Sequence, residues 1–220
     1  MSWDLKEALL HASKNVQSAR DQLCDLDAAL GDGDHGTSMA RSFAAVEREL
    51  SSTESNEPAD LLELVGNTVL NAVGGAMGPL FGSAFLSSST ALRNADPSLS
   101  SPERTAAAIA AAANAIQRRG KASVGDKTMV DAIVPAAEAA ATAAGQPDAT
   151  SATVLRAAAE AAAAGTEHTK ELIARIGRAS RLGERTLGHQ DPGATSITLV
   201  LESLAASAGA PVGHPVLTLN

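Results

Sequence analysis

Three aspartates lie close together near the start of the chain, within the segment 26–36. Asp32 and Asp34 flank Gly33, and Asp27 lies five residues before Asp32. Carboxylates this close repel one another unless a cation or hydrogen bonds compensate. Hard oxygen ligands on a flexible loop suit Mg²⁺, and Ca²⁺ less well. The segment therefore predicts a metal site at Asp27, Asp32 and Asp34; the alternative is an Asp/Gly turn that caps a helix.

Two familiar loop motifs do not fit this segment. If Asp32 opened an EF-hand loop, Thr37 would occupy the glycine position and Phe43 the glutamate position. Gly31-x-Gly33-x-x-Gly36 has the spacing of a dinucleotide-binding fingerprint, but no strand precedes it. Two acids inside that motif would also repel a pyrophosphate in the absence of a metal. We therefore treat the match as coincidence.

Three further connections combine glycine with residues suited to phosphate. The segment 74–79 contains no side chain larger than Ala before Met77, so a ligand can approach its backbone closely. The segment 120–127 contains two lysines, and Met129 follows it. The segment 182–193 contains His189, and Arg178 lies just before it. Ordinary glycine caps are the alternative for the first of these connections.

The residues alone leave several roles open. His35 suits an acid/base group or a phosphate donor, and equally a cap of the helix that follows. Lys127 suits a phosphate contact or a solvated first-turn residue, and Met129 suits a base cover or the core. Arg178 suits phosphate neutralisation or plain solvation. Cys24 is expected to pack in the core, and no serine has a nucleophile-elbow setting.

The elements that must position these residues are predicted to be helices. Ala accounts for 47 of the 220 residues and only four residues are aromatic, which favours closely packed helices over strands. We expect one domain over residues 1–210 and an irregular tail over 211–220. Periodicity and stop signals predict eight helical segments, at 2–26, 36–50, from 58 to before 74, from 79, from 101, from 127, 150–178 and 192–208.

The arrangement of the connections predicts a single site. In an up-and-down array of antiparallel helices, alternate connections lie at the same end. The segments rich in Gly, Asp and His are the first, third, fifth and seventh connections, so we expect them to converge. Four helix N-termini would then face one pocket beside the aspartates. Such a pocket suits a polyphosphate with Mg²⁺ and the chemistry of phosphoryl transfer.

Composition excludes several other classes of protein. The formal charge is −8, which disfavours nonspecific nucleic-acid binding. A single cysteine excludes an intrachain disulfide and a zinc site with several cysteines. The first residues lack the pattern of a signal peptide, and the most apolar stretch, 105–116, is too short to span a bilayer. We expect a cytoplasmic protein without a membrane or nucleic-acid partner.

Four motifs together resemble the nucleotide-binding L subunit of bacterial dihydroxyacetone kinases and the similar C-terminal domain of the single-chain ATP-dependent enzymes. They stand in the family's order across nearly the whole chain: 26–36, 74–82, 125–129 and 182–196. The resemblance implies an all-α barrel of eight antiparallel helices with ADP or ATP at one end. It also implies two Mg²⁺ ions held by Asp27, Asp32 and Asp34, in a subunit that takes part in glycerol metabolism.

The family's nucleotide contacts carry over to particular positions of this sequence, of which His35 and Arg178 would act electrostatically. The implied contacts are His35, Gly36, Thr37, Ser38, Ala76, Met77, Gly120, Met129, Arg178, Asp191, Pro192 and Gly193. In the family, a K-type subunit carries dihydroxyacetone. In the phosphotransferase-system version, a phosphohistidine protein rephosphorylates the bound ADP. The resemblance therefore implies a K-type partner and a phosphohistidine donor, with ATP as the alternative donor; a homodimer stays open.

The sequence departs from the family pattern at two positions. Met77 stands where serine is usual, and Ser38 stands where asparagine is common. Loss of one hydrogen bond to phosphate would cost about 1–3 kcal/mol. We expect nucleotide binding to survive, with altered phosphate geometry or partner choice. Two alternatives therefore stay open: a kinase subunit for another small keto-sugar, and a non-catalytic regulator that reports nucleotide state to a transcription factor.

Overall fold

The computed structural model describes residues 4–72 and 77–217, and within these ranges the regular elements are helices. Two short 3₁₀ helices, Thr169–Glu171 and Ala179–Thr186, lie between the last two α-helices. The α-helices are α1 Leu5–Ser18, α2 Arg20–Leu30, α3 His35–Ser52, α4 Pro58–Ala72, α5 Met77–Arg93, α6 Ser101–Gly120, α7 Val130–Ala144, α8 Ser151–His168 and α9 Pro192–Ser207.

The first predicted segment, 2–26, differs from the structure at both ends and in the middle. Its last turns continue to Leu30, and it divides at Ala19, where ψ is 0° instead of a helical value near −42°. Hydrogen bonds still cross the division, from the Ala19 amide to the Asn15 carbonyl and from the Leu23 amide to the Ala19 carbonyl. The result is a bent rod that carries Asp27 at its far end.

The predicted segment 150–178 is too long, because α8 ends at His168. There the chain tightens into the 3₁₀ helix Thr169–Glu171 and then leaves the helix axis. The buried Thr169 hydroxyl donates to the Thr166 carbonyl and accepts from the Asp191 amide. This side chain therefore joins the end of α8 to the residue that precedes α9. The starts of two other helices also differ from the predictions, since α5 begins at Met77 and α7 at Val130.

The helices contact one another in a cycle. From α3 to α9 each packs on the next, α1 packs on α3, and α9 packs on α1. The core between them consists of small and medium apolar side chains, with Phe43 and Phe81 the largest fully buried ones. No helix in the described ranges is long and apolar enough to cross a membrane.

Two glycines allow particularly close helix contacts. A Cβ on Gly36 would lie 2.0 Å from the Arg20 carbonyl oxygen, so α3 meets α2 backbone to backbone. A Cβ on Gly165 would lie 2.0 Å from the Asp131 carbonyl oxygen. Pro135, four residues after Asp131, has no N–H to donate to that carbonyl. The freed carbonyl therefore lies against the one residue of α8 that leaves space for it.

Candidate active site

The four glycine-rich connections meet at a pocket of about 780 Å³. The first contributes Gly31 and its aspartates, and the others reach the pocket through 77–80, 119–130 and 176–179 together with 191–193. The first residues of α3, α5, α7 and α9 all lie in its wall. Unpaired amides and the partial positive charge of helix N-termini favour an anion. The pocket therefore combines four anion-attracting ends with a group of carboxylates.

The three aspartates form the acidic group of the pocket. Ligand oxygens of Asp27, Asp32 and Asp34 all lie within 4.8 Å of one another. Asp27 is half-buried, and its Oδ2 accepts a 3.1 Å hydrogen bond from the amide of His35, while the other two carboxylates are exposed. The guanidinium of Arg178 forms an ion pair with Asp32. Three hard oxygen donors at this spacing fit Mg²⁺, and all three aspartates line the pocket.

His35 is a buried connector between α3 and α9. Its Nε2 lies 2.8 Å from the Ser196 hydroxyl, and the ring also donates to the backbone carbonyl of Pro192. Burial lowers the pKa of His35 to about 4, although the charge of Asp27 opposes that shift. The ring is therefore neutral at pH 7. With its single N–H used for Pro192, Nε2 accepts from Ser196, and the side chain fixes the start of α9 against the start of α3.

Asp191 caps α9 at the edge of the pocket. Its Oδ2 accepts from the Ala194 amide at 2.8 Å, and burial raises the pKa of this carboxyl to about 7. Gly193 follows in the first turn, where a Cβ would lie 3.1 Å from the Asp191 carboxylate and 3.4 Å from Met129 Cε. Glycine thus lets Met129 lie directly against the helix start. Met129 is both a core residue and a wall of the pocket.

Lys127 is not a solvated first-turn residue, because its side chain is only 2% exposed. Its Nζ donates to the carbonyl of His189 at 2.5 Å and to that of Thr169. Burial lowers the pKa of this ammonium, while the charges of Asp191 and Asp131 oppose the shift. Because both of these bonds go to backbone carbonyls, Lys127 connects the loop after α6 to the end of α8 and to the chain entering α9.

Asp131 shapes the same loop from within α7. Its Oδ1 accepts from the Gly125 amide at 2.6 Å, and its Oδ2 accepts from the Thr128 amide at 2.8 Å. Lys127 itself has a φ of 61°, in the left-handed region that costs most residues energy. The two carboxylate bonds and the two ammonium bonds hold the loop in this conformation and place Met129 beside the pocket.

Most of the predicted site residues meet at this pocket. Gly36 is buried against α2 and Thr37 is exposed, with its hydroxyl 3.6 Å from Cys24 Sγ; neither lines the pocket wall. Ala76 lies outside the described residues. The predicted residues that line the wall are Asp27, Asp32, Asp34, His35, Ser38, Met77, Gly120, Met129, Arg178, Asp191, Pro192 and Gly193.

Two cationic residues of the pocket were missed from the sequence. Arg41 lies three residues after Ser38, on the same face of α3, and Arg119 lies in the last turn of α6. Helical spacing from Ser38 would have found Arg41. Arg119 had no comparable signal, because a basic residue in a last helical turn is common whatever its surroundings.

A second cavity, of about 800 Å³, lies away from the aspartates. Its wall is largely apolar, with Phe81, Ile109 and Leu155 among its residues. It contains none of the three aspartates and none of the glycine-rich connections. The three aspartates and the glycine-rich connections therefore all belong to the pocket described above.

Comparison with known proteins gives the same family from sequence and from structure. Residues 29–206 match the model of the DAK2 domain. The chain is 40% identical over 186 residues to the ADP-binding subunit DhaL of the PEP-dependent dihydroxyacetone kinase of Escherichia coli, covering 84% of this chain and 87% of that protein. It is 38% identical over 191 residues to a subunit of the same description from Listeria innocua, covering 87% and 89%.

The structural comparison extends the likeness to a larger enzyme. The structure superposes on the dihydroxyacetone kinase of C. freundii, solved in complex with AMP-PNP and Mg²⁺, with a TM-score of 0.71 and 26% identity. The match covers 92% of this chain and 33% of that one, so this chain spans about a third of the C. freundii enzyme. An L-erythrulose 1-kinase of Mycolicibacterium smegmatis is 37% identical over 187 residues, which is 32% of its length.

Proposed function

Because the chain belongs to the DAK2 domain family, we propose that it is the nucleotide-binding subunit of a dihydroxyacetone kinase, working in the cytoplasm. It binds ADP or ATP with Mg²⁺, and the phosphoryl group passes from the nucleotide to dihydroxyacetone held on a separate K-type subunit. The observation that carries this proposal is the group of three carboxylates within 4.8 Å, in a pocket that receives four helix N-termini. The cycle of helix contacts supports an eight-helix antiparallel barrel with the nucleotide at one end.

The aspartates would hold the metal. Asp27, Asp32 and Asp34 supply the oxygen ligands for two Mg²⁺ ions, which neutralise the phosphate charge when bound. Asp27 is held for this purpose by its hydrogen bond from the His35 amide. Arg178 reaches the same cluster and brings a further positive charge to the phosphates.

Other residues of the chain position the nucleotide. The first turns of α3 and α9, which include Ser38 and Gly193, bring the positive ends of two helix dipoles to the phosphates. Met129 provides an apolar surface for the base, and Gly120 lines the same pocket. His35 acts as a positioning residue, because its buried ring is bonded to Ser196 and Pro192 and so holds the start of α9 against the start of α3.

The acceptor belongs to another protein in this proposal. Phosphoryl transfer depends on positioning and charge stabilisation, and needs the acceptor oxygen in contact with the terminal phosphate. A phosphohistidine protein is the proposed donor when ADP stays bound; the names of the E. coli and Listeria relatives, ADP-binding subunits of PEP-dependent kinases, favour a donor other than ATP. A second candidate acceptor is a four-carbon keto-sugar such as erythrulose, because part of the L-erythrulose 1-kinase of Mycolicibacterium smegmatis is similar to this chain.

Native mass spectrometry with and without EDTA tests the proposal. We expect a mass increase of one ADP and two Mg²⁺ that is lost on chelation. Asp32→Asn should abolish this increase, since it removes one ligand charge and the partner of Arg178. Asp25→Asn is the control, because Asp25 is an exposed carboxylate on the same helix that does not line the pocket. Full Mg–ADP binding by Asp32→Asn would remove the metal assignment.

A further inference from the structure

One side of the pocket is bordered by a row of arginines on a chain of net negative charge. Arg175, Arg178, Arg181 and Arg185 fall within eleven residues, although the formal charge of the chain is −8. Glu184 is the one acidic residue between 172 and 190. All four arginines are exposed. The segment adjoins the pocket directly, since residues 176–179 lie in the pocket wall.

Three of these arginines have no side-chain partner among the described residues. Arg178 pairs with Asp32, but the structure gives no ion pair or hydrogen bond to the guanidinium groups of Arg175, Arg181 and Arg185. Arginines elsewhere in the molecule are of both kinds: Arg93 binds Asp60 and Glu63, whereas Arg48 also has no side-chain partner among the described residues. The row differs from them because its four arginines lie close together in the sequence with a single acidic residue among them. The row therefore presents unbalanced positive charge to the outside.

The same region carries the large apolar side chains that are exposed among residues 4–72 and 77–217. Val124, Ile173 and Leu187 are 55%, 40% and 44% exposed, and they are the large hydrophobic residues that the described structure leaves open. Backbone contacts connect their segments: the Arg175 amide donates to the Asp126 carbonyl, and the Ala174 amide donates to the Thr186 hydroxyl, each at 3.1 Å. These apolar residues therefore lie on linked loops together with the arginines.

We propose that this surface, called here the arginine rim (residues 173–187 with Val124), is the docking site for the protein that carries the acceptor. The inference depends on the proposed function, because a phosphoryl group that must reach another chain requires that chain to cover the mouth of the pocket. The partner presents an acidic surface with an apolar patch. Arginine and exposed apolar residues are typical of protein interfaces, and unpaired like charges accelerate the approach of an oppositely charged partner.

A protein is the occupant that this surface favours over a nucleic acid. The remainder of the molecule is acidic, so a polyanion long enough to leave the rim would be repelled. The three apolar side chains offer nothing to a phosphate backbone, but they would be buried by a protein. A nucleic acid that bound the rim would therefore contradict the proposal.

The test is charge reversal at the rim, measured by biolayer interferometry against the dihydroxyacetone-loaded K-type subunit of the E. coli kinase. The double variant Arg181→Glu/Arg185→Glu should reduce the association rate constant at least tenfold in about 50 mM salt, and less in 500 mM salt, where charges are screened. The control, Lys14→Glu/Arg48→Glu, makes the same change in net charge at exposed positions with no side-chain partner. It should stay within about twofold of the wild type.

A second variant examines the apolar part of the rim. Leu187→Ser should raise the dissociation rate constant at every salt concentration, because it removes contact area without changing charge. Wild-type rates for both variants, an equal loss in the control, or no binding of the K-type subunit by the wild type would each overturn the docking site. Mg–ADP binding, measured by native mass spectrometry on the same samples, should be unchanged in all variants; its absence from the wild type would instead overturn the proposed function.

Discussion

Replacement of Lys127 by methionine tests whether the buried ammonium holds the pocket together. Methionine keeps the length and most of the volume of the side chain but has neither charge nor hydrogen-bond donor. Two carbonyls that the ammonium now satisfies, those of Thr169 and His189, would be left without this partner. The negative charges of Asp131 and Asp191 would also lose the cation that faces them.

The expected loss of stability follows from these contacts. A hydrogen bond to a charged group contributes about 1.5–3 kcal/mol, so two of them account for about 3–6 kcal/mol. The desolvation cost of the ammonium, which methionine does not have, offsets part of this sum. We expect a net loss of about 3 kcal/mol in the free energy of unfolding. For a chain of this length, that corresponds to a fall of about 6–12 °C in Tm.

The assay is urea and thermal unfolding with and without Mg–ADP. Lys121→Met is the matched control, since Lys121 lies in the same loop with a similar left-handed φ of 51° but an exposed side chain. Backbone strain is therefore alike in the two variants, and the control should change Tm by about 2 °C or less. Equal Tm values for the two variants would refute the role of Lys127 as a connector.

Three further predictions concern the pH dependence and the helix contacts. Burial lowers the pKa of His35 to about 4, so its contribution to stability is complete above pH 6.5 and is lost as the pH falls from 6.5 to 4. In the wild type this loss amounts to on the order of 3 kcal/mol in the free energy of unfolding, and urea titrations of His35→Gln over the same pH range should no longer show it. Burial raises the pKa of Glu202 to about 7, so its stabilising contribution is complete below pH 4.5 and is lost as the pH rises through 7. Glu202→Gln should therefore raise Tm at pH 8 but not at pH 4.5. Equal Tm gains at the two pH values would count against a raised pKa for this carboxyl. Gly36→Ala would place a Cβ 2.0 Å from a backbone oxygen of α2, so it should cost about 3 kcal/mol in stability or prevent folding. Gly145→Ala is the control, because the nearest atom to its Cβ would be 3.6 Å away, and it should change the stability by about 0.5 kcal/mol or less. Thermal melts followed by circular dichroism measure both effects.

The helices and the glycine-rich connections were predictable because their signals are local. Apolar periodicity and turn residues act within a few positions of one another. Six of the eight predicted segments therefore correspond to single helices; the two exceptions are 2–26 and 150–178. The expectation that alternate connections meet followed from chain direction alone, and the structure brings all four to one pocket. Motif order was enough to indicate the family, which the domain match confirmed.

The features that the sequence did not reveal depend on distant contacts. No local stop signal marks the division at Ala19 or the end of α8 at His168. At the end of α8, Thr169 accepts a hydrogen bond from the amide of Asp191, which lies 22 residues further along the chain. Lysine in a first helical turn is usually solvated, so the burial of Lys127 could not be expected from its neighbours.

The sequence by itself determined that the chain is helical and that its aspartates and glycines gather at one end, because propensity and chain direction need no knowledge of packing. Only the tertiary structure decided what each side chain does there. His35 is neutral because several elements bury it, Lys127 binds backbone carbonyls because two other segments surround it, and Thr37 faces away from the pocket because Gly36 must face α2. Burial and electrostatics are sums over neighbours that are remote in the chain, so only the folded arrangement determines them.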